Sequence, residues 1–176
     1  MTTPRKSCLA AVLLCTTTVI SSSKPLLPPR IFPINTPMNA QLEQNKAVVR
    51  RFNHEVIEQG NVAAFQELMD PAFINHAAPT GADNGPNGML NTFNNVLRPA
   101  FPDMKVIIYS QVAEDDLVTT RKAITGTQTG TLLGIAPTGK TATIDVIDIV
   151  RVRHGKYVEH WGVNTLPTVL QQLAKP

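Results

Sequence analysis

The sequence predicts an α+β fold built on an antiparallel sheet, and three observations predict it. Apolar residues recur at helical spacing in the earlier part of the body and at alternate positions in the later part. Helices come first and consecutive strands follow, which is not the alternating pattern of a doubly wound parallel sheet. Turn residues, Glu114-Asp115-Asp116 and His154-Gly155, separate successive strand segments.

The first helix is expected over residues 41–59. Val48, Phe52 and Val56 recur every four positions with Val49 and Ile57 beside them, while Glu43, Lys46, Arg50 and Glu58 take the other side. Gly60 ends it as a C-cap residue, and Asn61 caps a short second helix over 62–69, stopped by Asp70-Pro71. Residues 73–76 form a short extended piece, and 77–87 a loop dense in Gly, Pro, Asn and Asp. A third helix spans 88–97. Strands follow over 104–113 and 117–128, then a Gly-rich loop over 129–140, then strands over 141–153 and 156–163. Residues 165–173 form a terminal helix. Long strands with helices on one face leave a cone-shaped apolar pocket, the default place for a ligand.

Residues 1–37 read as a leader and 38–176 as one domain. Arg5 and Lys6 precede an apolar stretch from Cys8 to Ile20, then Ser21-Ser22-Ser23, the order of a secretory signal. Thr16-Thr17-Thr18 interrupts it, no Ala-x-Ala site follows, and the spacer from Lys24 to Pro37 holds five of the 14 prolines. Translation from Met38 would leave a cytoplasmic domain; a signal over residues 1–23 would export it. On either reading the leader is expected to be poorly ordered.

The net charge of +3 does not indicate a nucleic-acid partner. The leader holds Arg5, Lys6, Lys24 and Arg30 and no acid, so the body keeps 12 Lys and Arg against 13 Asp and Glu, a net of −1. No apolar run reaches the roughly 18 to 20 residues of a membrane helix. Both cysteines, Cys8 and Cys15, lie in the leader, which leaves the body without disulfides, cysteine ligands or a catalytic thiol. His76, His154 and His160 lack ligand spacing, no helix starts after the Gly-rich loop 126–139 to make it a phosphate cradle, and no Gly-x-Ser-x-Gly elbow occurs. No metal or other cofactor is expected.

The chemistry-bearing candidates come from strand alternation. Ala142, Ile144, Val146, Val150 and Val152 share a face with Asp148. A carboxylate there is costly unless paired, and desolvation favours its protonated form, which suits a general acid or base; the alternative is a structural acid held by an Arg or a backbone amide. Arg121 on the second strand is a candidate partner, or else a solvated strand charge. On the last strand Val158, His160, Gly162 and Asn164 share a face opposite Tyr157, Glu159 and Trp161. His160 can shuttle a proton or serve as a hydrogen-bonded core histidine. Asn164 is a candidate donor, Trp161 a substrate platform or core residue, His76 a residue at the pocket mouth, and Phe52 a contact from the helical wall. His54 lies off the apolar stripe and reads as surface.

These residues carry a resemblance. The string Gly126 to Lys140, the segments Ile147 to Lys156, Glu159-His160-Trp161 and Leu170 to Leu173, and the openings Asn45 to Phe52 and Phe73 to His76, are similar to the SnoaL-like polyketide cyclase or ester cyclase family, over about residues 40–174. The resemblance implies the NTF2-like cone: a curved antiparallel sheet of about four long strands packed on three N-terminal helices, with a short C-terminal helix. It also implies a cofactor-free intramolecular aldol closure, in which a carboxylate takes an acidic α-proton and substrate conjugation spreads the enolate charge. The family's usual acid follows His-Trp on the last strand, where this chain has Gly162, and the family's pocket histidine position holds Asp148.

Three expectations follow. The first is a cofactor-independent cyclase or isomerase acting on a small hydrophobic carbonyl compound, with Asp148 as acid/base and His160, Arg121 and His76 orienting the substrate. The second is a binding module holding a small apolar ligand without chemistry, because Gly162 replaces the usual acid. The third is an interaction role for the outer sheet face, where Ile147 and Ile149 lie, so that a homodimer is expected in any case.

Overall fold

The computed structural model describes residues 37–175. The leader reading for residues 1–37, and with it the start site and any signal, lies outside the described residues except for Pro37, which opens the first helix.

Helix α1 (Pro37–Arg51) runs on without a break into a π-helical stretch, Phe52–Glu58. The wide turn is closed by i→i+5 bonds such as Gln59 N–H to His54 O at 3.2 Å. Its end is capped as expected at Gly60, which sits at φ +68°. Arg98 adds a reason for that glycine. The guanidinium donates to the carbonyls of Val56, Ile57 and Glu58 at 2.7–3.1 Å, and a Cβ at residue 60 would lie 2.6 Å from its Nε. The Asn61 side chain accepts from Ala64 N–H and caps α2 (Val62–Leu68). Helix α3 (Pro86–Asn91) passes into a second π stretch, Thr92–Leu97, and then a single turn, α4 (Arg98–Ala100).

The sheet has five strands rather than four: β1 (Met69–Asn75), β2 (Lys105–Glu114), β3 (Leu117–Thr127), β4 (Thr141–Arg153) and β5 (Lys156–Asn164), in the order β1-β5-β4-β3-β2. The four long strands are those expected, with antiparallel neighbours. The short extended piece is longer than its sequence suggests and adds a parallel edge against β5. Pro71 removes a ladder donor, and the register slips between Met69 and Ile74, so the pairing carries little sequence signal. His154 (φ +50°) and Gly155 (φ +75°) form the tight β4–β5 turn. Helix α5 (Leu166–Leu173) closes the chain.

A second irregularity re-aims the last strand. The β4–β5 register shifts between Arg151 and Val152, so that Tyr157 opposes Val152 while His160 opposes Val150. The extra residue turns Tyr157 onto the inner face with His160 and Gly162, whereas unbroken alternation groups it with Glu159 and Trp161. The core lies between this inner face and the helices, and Val49, Val56, Ile57, Val118, Val150 and Val152 are buried there.

The Gly-rich loop between β3 and β4 is organised by one side chain. Buried Gln128 donates from Nε2 to the carbonyls of Gly130, Ile135 and Ala136 and accepts at Oε1 from Thr138 N–H and Oγ1. Among the described residues no helix is long and apolar enough to cross a membrane.

Candidate active site

Asp148 is where strand alternation puts it, on the inner face of β4 and 4% exposed. Its partner is Lys122, whose Nζ lies 2.6 Å from Asp148 Oδ2 and 2.7 Å from Asn53 Oδ1. Asn53 is itself anchored, donating to Val49 O at 2.8 Å. Thus the π-helical stretch after α1, β3 and β4 meet in a polar knot inside an apolar core. Excluding water strengthens this ion pair, and the second contact to Asn53 satisfies another ammonium hydrogen. Asp148 Oδ1 is the one buried side-chain oxygen without a hydrogen-bond partner among the described residues.

His160 stands next to this pair, with Nε2 3.9 Å from Asp148 Oδ2 and a side chain 17% exposed. Burial pushes its imidazole down to about 4; the charge of Asp148 opposes that shift, and those of Lys122 and His76 add to it. The imidazole is therefore neutral at pH 7. Its Nδ1 meets Asn75 Oδ1 at 2.8 Å. Gly162 faces Asp148 across the ladder, and a Cβ there would come within 3.1 Å of His160 Cε1 and 3.5 Å of Asp148 Cβ. The absence of a side chain at 162 is what lets the His160 ring lie against the acid. Burial, with the nearby Asp148 charge, pushes the Tyr157 phenol well above its usual range, so it too is neutral.

The remaining sequence candidates divide between two faces. Arg121 is not the partner of Asp148. It is exposed on the outer face, its guanidinium 4.6 Å from the Tyr109 ring centroid, because the inward positions of β3 are the even ones. His76 and Trp161 also lie on the outer face, stacked on each other at 4.7 Å and 8°, with Arg151 5.7 Å from the Trp161 ring. His76 Nε2 sits 3.9 Å from Glu159, and neither His76 nor Trp161 is among the buried core residues. Asn164 is exposed at the end of β5 and accepts from Leu166 N–H at the start of α5. Phe52 belongs to an aromatic cluster, stacked on Tyr157 at 4.3 Å with Phe65 and Phe93 at 6.2 and 6.3 Å. That cluster lies between the helices and the inner face of the sheet. His54 is exposed, as read.

Comparisons with known proteins decide the relationship. The family signature of SnoaL-like polyketide cyclases matches residues 47–173, most of the chain. The chain belongs to the SnoaL-like polyketide cyclase family. Among solved structures it is similar to IdmH, a candidate polyketide cyclase of Streptomyces antibioticus, at 28% identity over 75% of this chain and 99% of that one, with a TM-score of 0.66. It is similar also to a candidate SnoaL-like polyketide cyclase of Jannaschia sp. CCS1, at 25% identity over 81% and 97% of the two chains, with a TM-score of 0.69. No curated protein sequence matches it. The fold is accordingly the NTF2-like cone, with an open, curved five-stranded sheet.

Against that SnoaL-like background, four residues that sequence reasoning passed over shape the site. Lys122 and Asn53 were invisible because a lysine on a strand and an asparagine in a helix are usually solvated. Tyr157 was hidden by the bulge. Asn75 faces His160 because the two are register partners across β1 and β5. The phase of β3 was the available signal: Val118, Thr120 and Ile124 share their face with Lys122, not with Arg121.

Proposed function

We propose that the chain is a cofactor-independent, cyclase-like enzyme that performs intramolecular aldol-type or isomerase chemistry on a small hydrophobic carbonyl compound. Asp148 and His160 form its acid–base pair. The observation that carries this reading is the free Oδ1 of buried Asp148 beside a neutral imidazole, in a family of polyketide cyclases. Oδ2 is anchored by Lys122, so the carboxylate is oriented rather than free to rotate. One of the pair removes the α-proton of an activated ester. The resulting enolate carbon attacks the carbonyl carbon, and the proton returns to the new alkoxide. Lys122 supplies positive charge close to the developing enolate.

Exchange of α-hydrogens tests this directly. The full chain is incubated in D2O with an aromatic β-keto ester, and deuterium incorporation is followed by NMR. Wild type accelerates exchange above buffer and Asp148→Asn removes the acceleration while keeping affinity for the ester; equal rates in both end the enzymatic reading. A second reading, a binder without chemistry, is favoured by Gly162 in the position of the family's usual acid. In that case the ester binds and no exchange is accelerated.

The outer face supports a second proposal, a homodimer. Ile107, Tyr109, Ile147 and Val163 are 47–69% exposed there, beside Trp161. Sedimentation of a single monomeric species across micromolar concentrations would remove it.

A further inference from the structure

We infer that Asn75 is a positioning residue: it holds His160 in the tautomer with hydrogen on Nδ1, so that a bare Nε2 faces Asp148 and the site takes a ligand group carrying its own hydrogen, a hydroxyl or an enol. The ligand half of this inference rests on the acid–base site proposed above; the tautomer does not.

The argument starts at the backbone. Ala77 N–H lies 3.0 Å from the Asn75 side chain, and a backbone N–H only donates, so the atom it meets is Oδ1. That same oxygen lies 2.8 Å from His160 Nδ1. An amide oxygen only accepts, so Nδ1 carries the hydrogen. Reversing the Asn75 amide would set its NH2 against the Ala77 N–H, two donors face to face. The contact is built into the fold, because Asn75 and His160 are Cα partners where β1 runs parallel to β5, and His76 N–H donates to His160 O at 2.8 Å just beyond.

A neutral imidazole with hydrogen on Nδ1 has a lone pair on Nε2. The Nε2 to Oδ2 separation of 3.9 Å agrees with two acceptors that share no hydrogen. The titratable groups around the ring are Asp148 from β4, Lys122 from β3, and His76 beyond β1. Lys122 already points at Asp148 Oδ2 and Asn53, while Asp148 Oδ1 has no protein donor. His160 Nε2 and Asp148 Oδ1 thus each lack a protein hydrogen, while Oδ2 takes one from Lys122. At these two atoms a ketone or ester oxygen meets a lone pair, whereas an O–H donates to Nε2 or to Oδ1. A β-dicarbonyl compound therefore binds best as its enol.

Long-range 1H–15N spectra of the uniformly 15N-labelled full chain read the tautomer without any turnover, with His160 assigned from its loss in His160→Gln. We expect a pyrrole-type Nδ1 and a pyridine-type Nε2 in wild type at neutral pH, a mixed pattern in Asn75→Ala, and the wild-type pattern in Asn75→Asp, which keeps the acceptor. Hydrogen on Nε2 in wild type, or an Asn75→Ala spectrum identical to wild type, overturns the assignment. Titration with phenol should shift the Nε2 resonance, while anisole, its methyl ether, binds about tenfold or more weakly; equal binding, or no shift with phenol, overturns the ligand half. Failure to accelerate hydrogen exchange in a β-keto ester removes the enzymatic reading alone and leaves the tautomer standing.

Discussion

Lys122 Nζ, on β3, lies 2.6 Å from Asp148 Oδ2, on β4, and each side chain is 5% exposed. The two are diagonal neighbours, since Thr120 is the residue directly opposite Asp148 and Lys122 opposes Val146. The site depends on this pair for its charge and for the orientation of its acid.

Removing one partner of a buried pair strands the other. Lys122→Met is expected to cost about 3–5 kcal/mol of stability, and Lys122→Met combined with Asp148→Leu to recover most of it. Arg121→Ala, on the outer face, should stay within about 0.5 kcal/mol of wild type. Urea denaturation of the three variants checks this. A Lys122→Met midpoint equal to wild type would contradict the pairing.

His160 gives stability a pH dependence of known sign. It titrates at about 4 in the folded chain against 6.5 for the free side chain, so between these values the unfolded chain binds more protons. Stability is therefore fully present above the unfolded value and falls as pH is lowered through the window, by roughly 3 kcal/mol in all. Glu58 and Asp103, whose carboxyls are held below 4.5 and 3.8, lose their contributions lower down. The slope between about pH 5 and 6.5 is thus the histidine's own. His160→Gln should flatten it in thermal melts taken across that range.

A Cβ at residue 162 would lie 3.1–3.2 Å from the His160 ring, closer than an ordinary contact. Gly162→Ala should displace the His160 ring and cost about 1–3 kcal/mol. Gly162→Asp adds like-charge repulsion against Asp148 and should be worse, while putting an acid at the family's usual position. If Gly162→Asp accelerates exchange in a β-keto ester where wild type does not, the binder reading gains. Melting temperatures and NMR exchange rates separate these outcomes.

Gln128 ties down the loop over 129–140 through five hydrogen bonds. Gln128→Ala leaves part-buried carbonyls and an N–H without their partner, at about 1–3 kcal/mol for each one that stays dry. Hydrogen exchange should accelerate across 129–140 and remain slow in β3 and β4. Unchanged protection in the loop would show that its own turns suffice.

Alternation along β4 was enough to place Asp148 on the inner face, because a thirteen-residue regular strand keeps a strict period of two. Turn chemistry was enough to separate β4 from β5, since His154-Gly155 matches the left-handed turn found there. Helical spacing likewise put Val48, Phe52 and Val56 on one stripe, and the family signature matched the motifs read from 126 to 173. What the residues carry in their own spacing was therefore readable one element at a time. Register was different. Whether Arg121 or Lys122 turns inward, whether Tyr157 joins His160, and whether Asn75 meets it across a parallel edge all depend on how strands slide past one another. A one-residue shift or bulge reverses every side chain beyond it, and only packing against neighbouring strands selects the register. Local sequence thus named the acid and the histidine; tertiary structure chose the lysine that charges the one and the asparagine that orients the other.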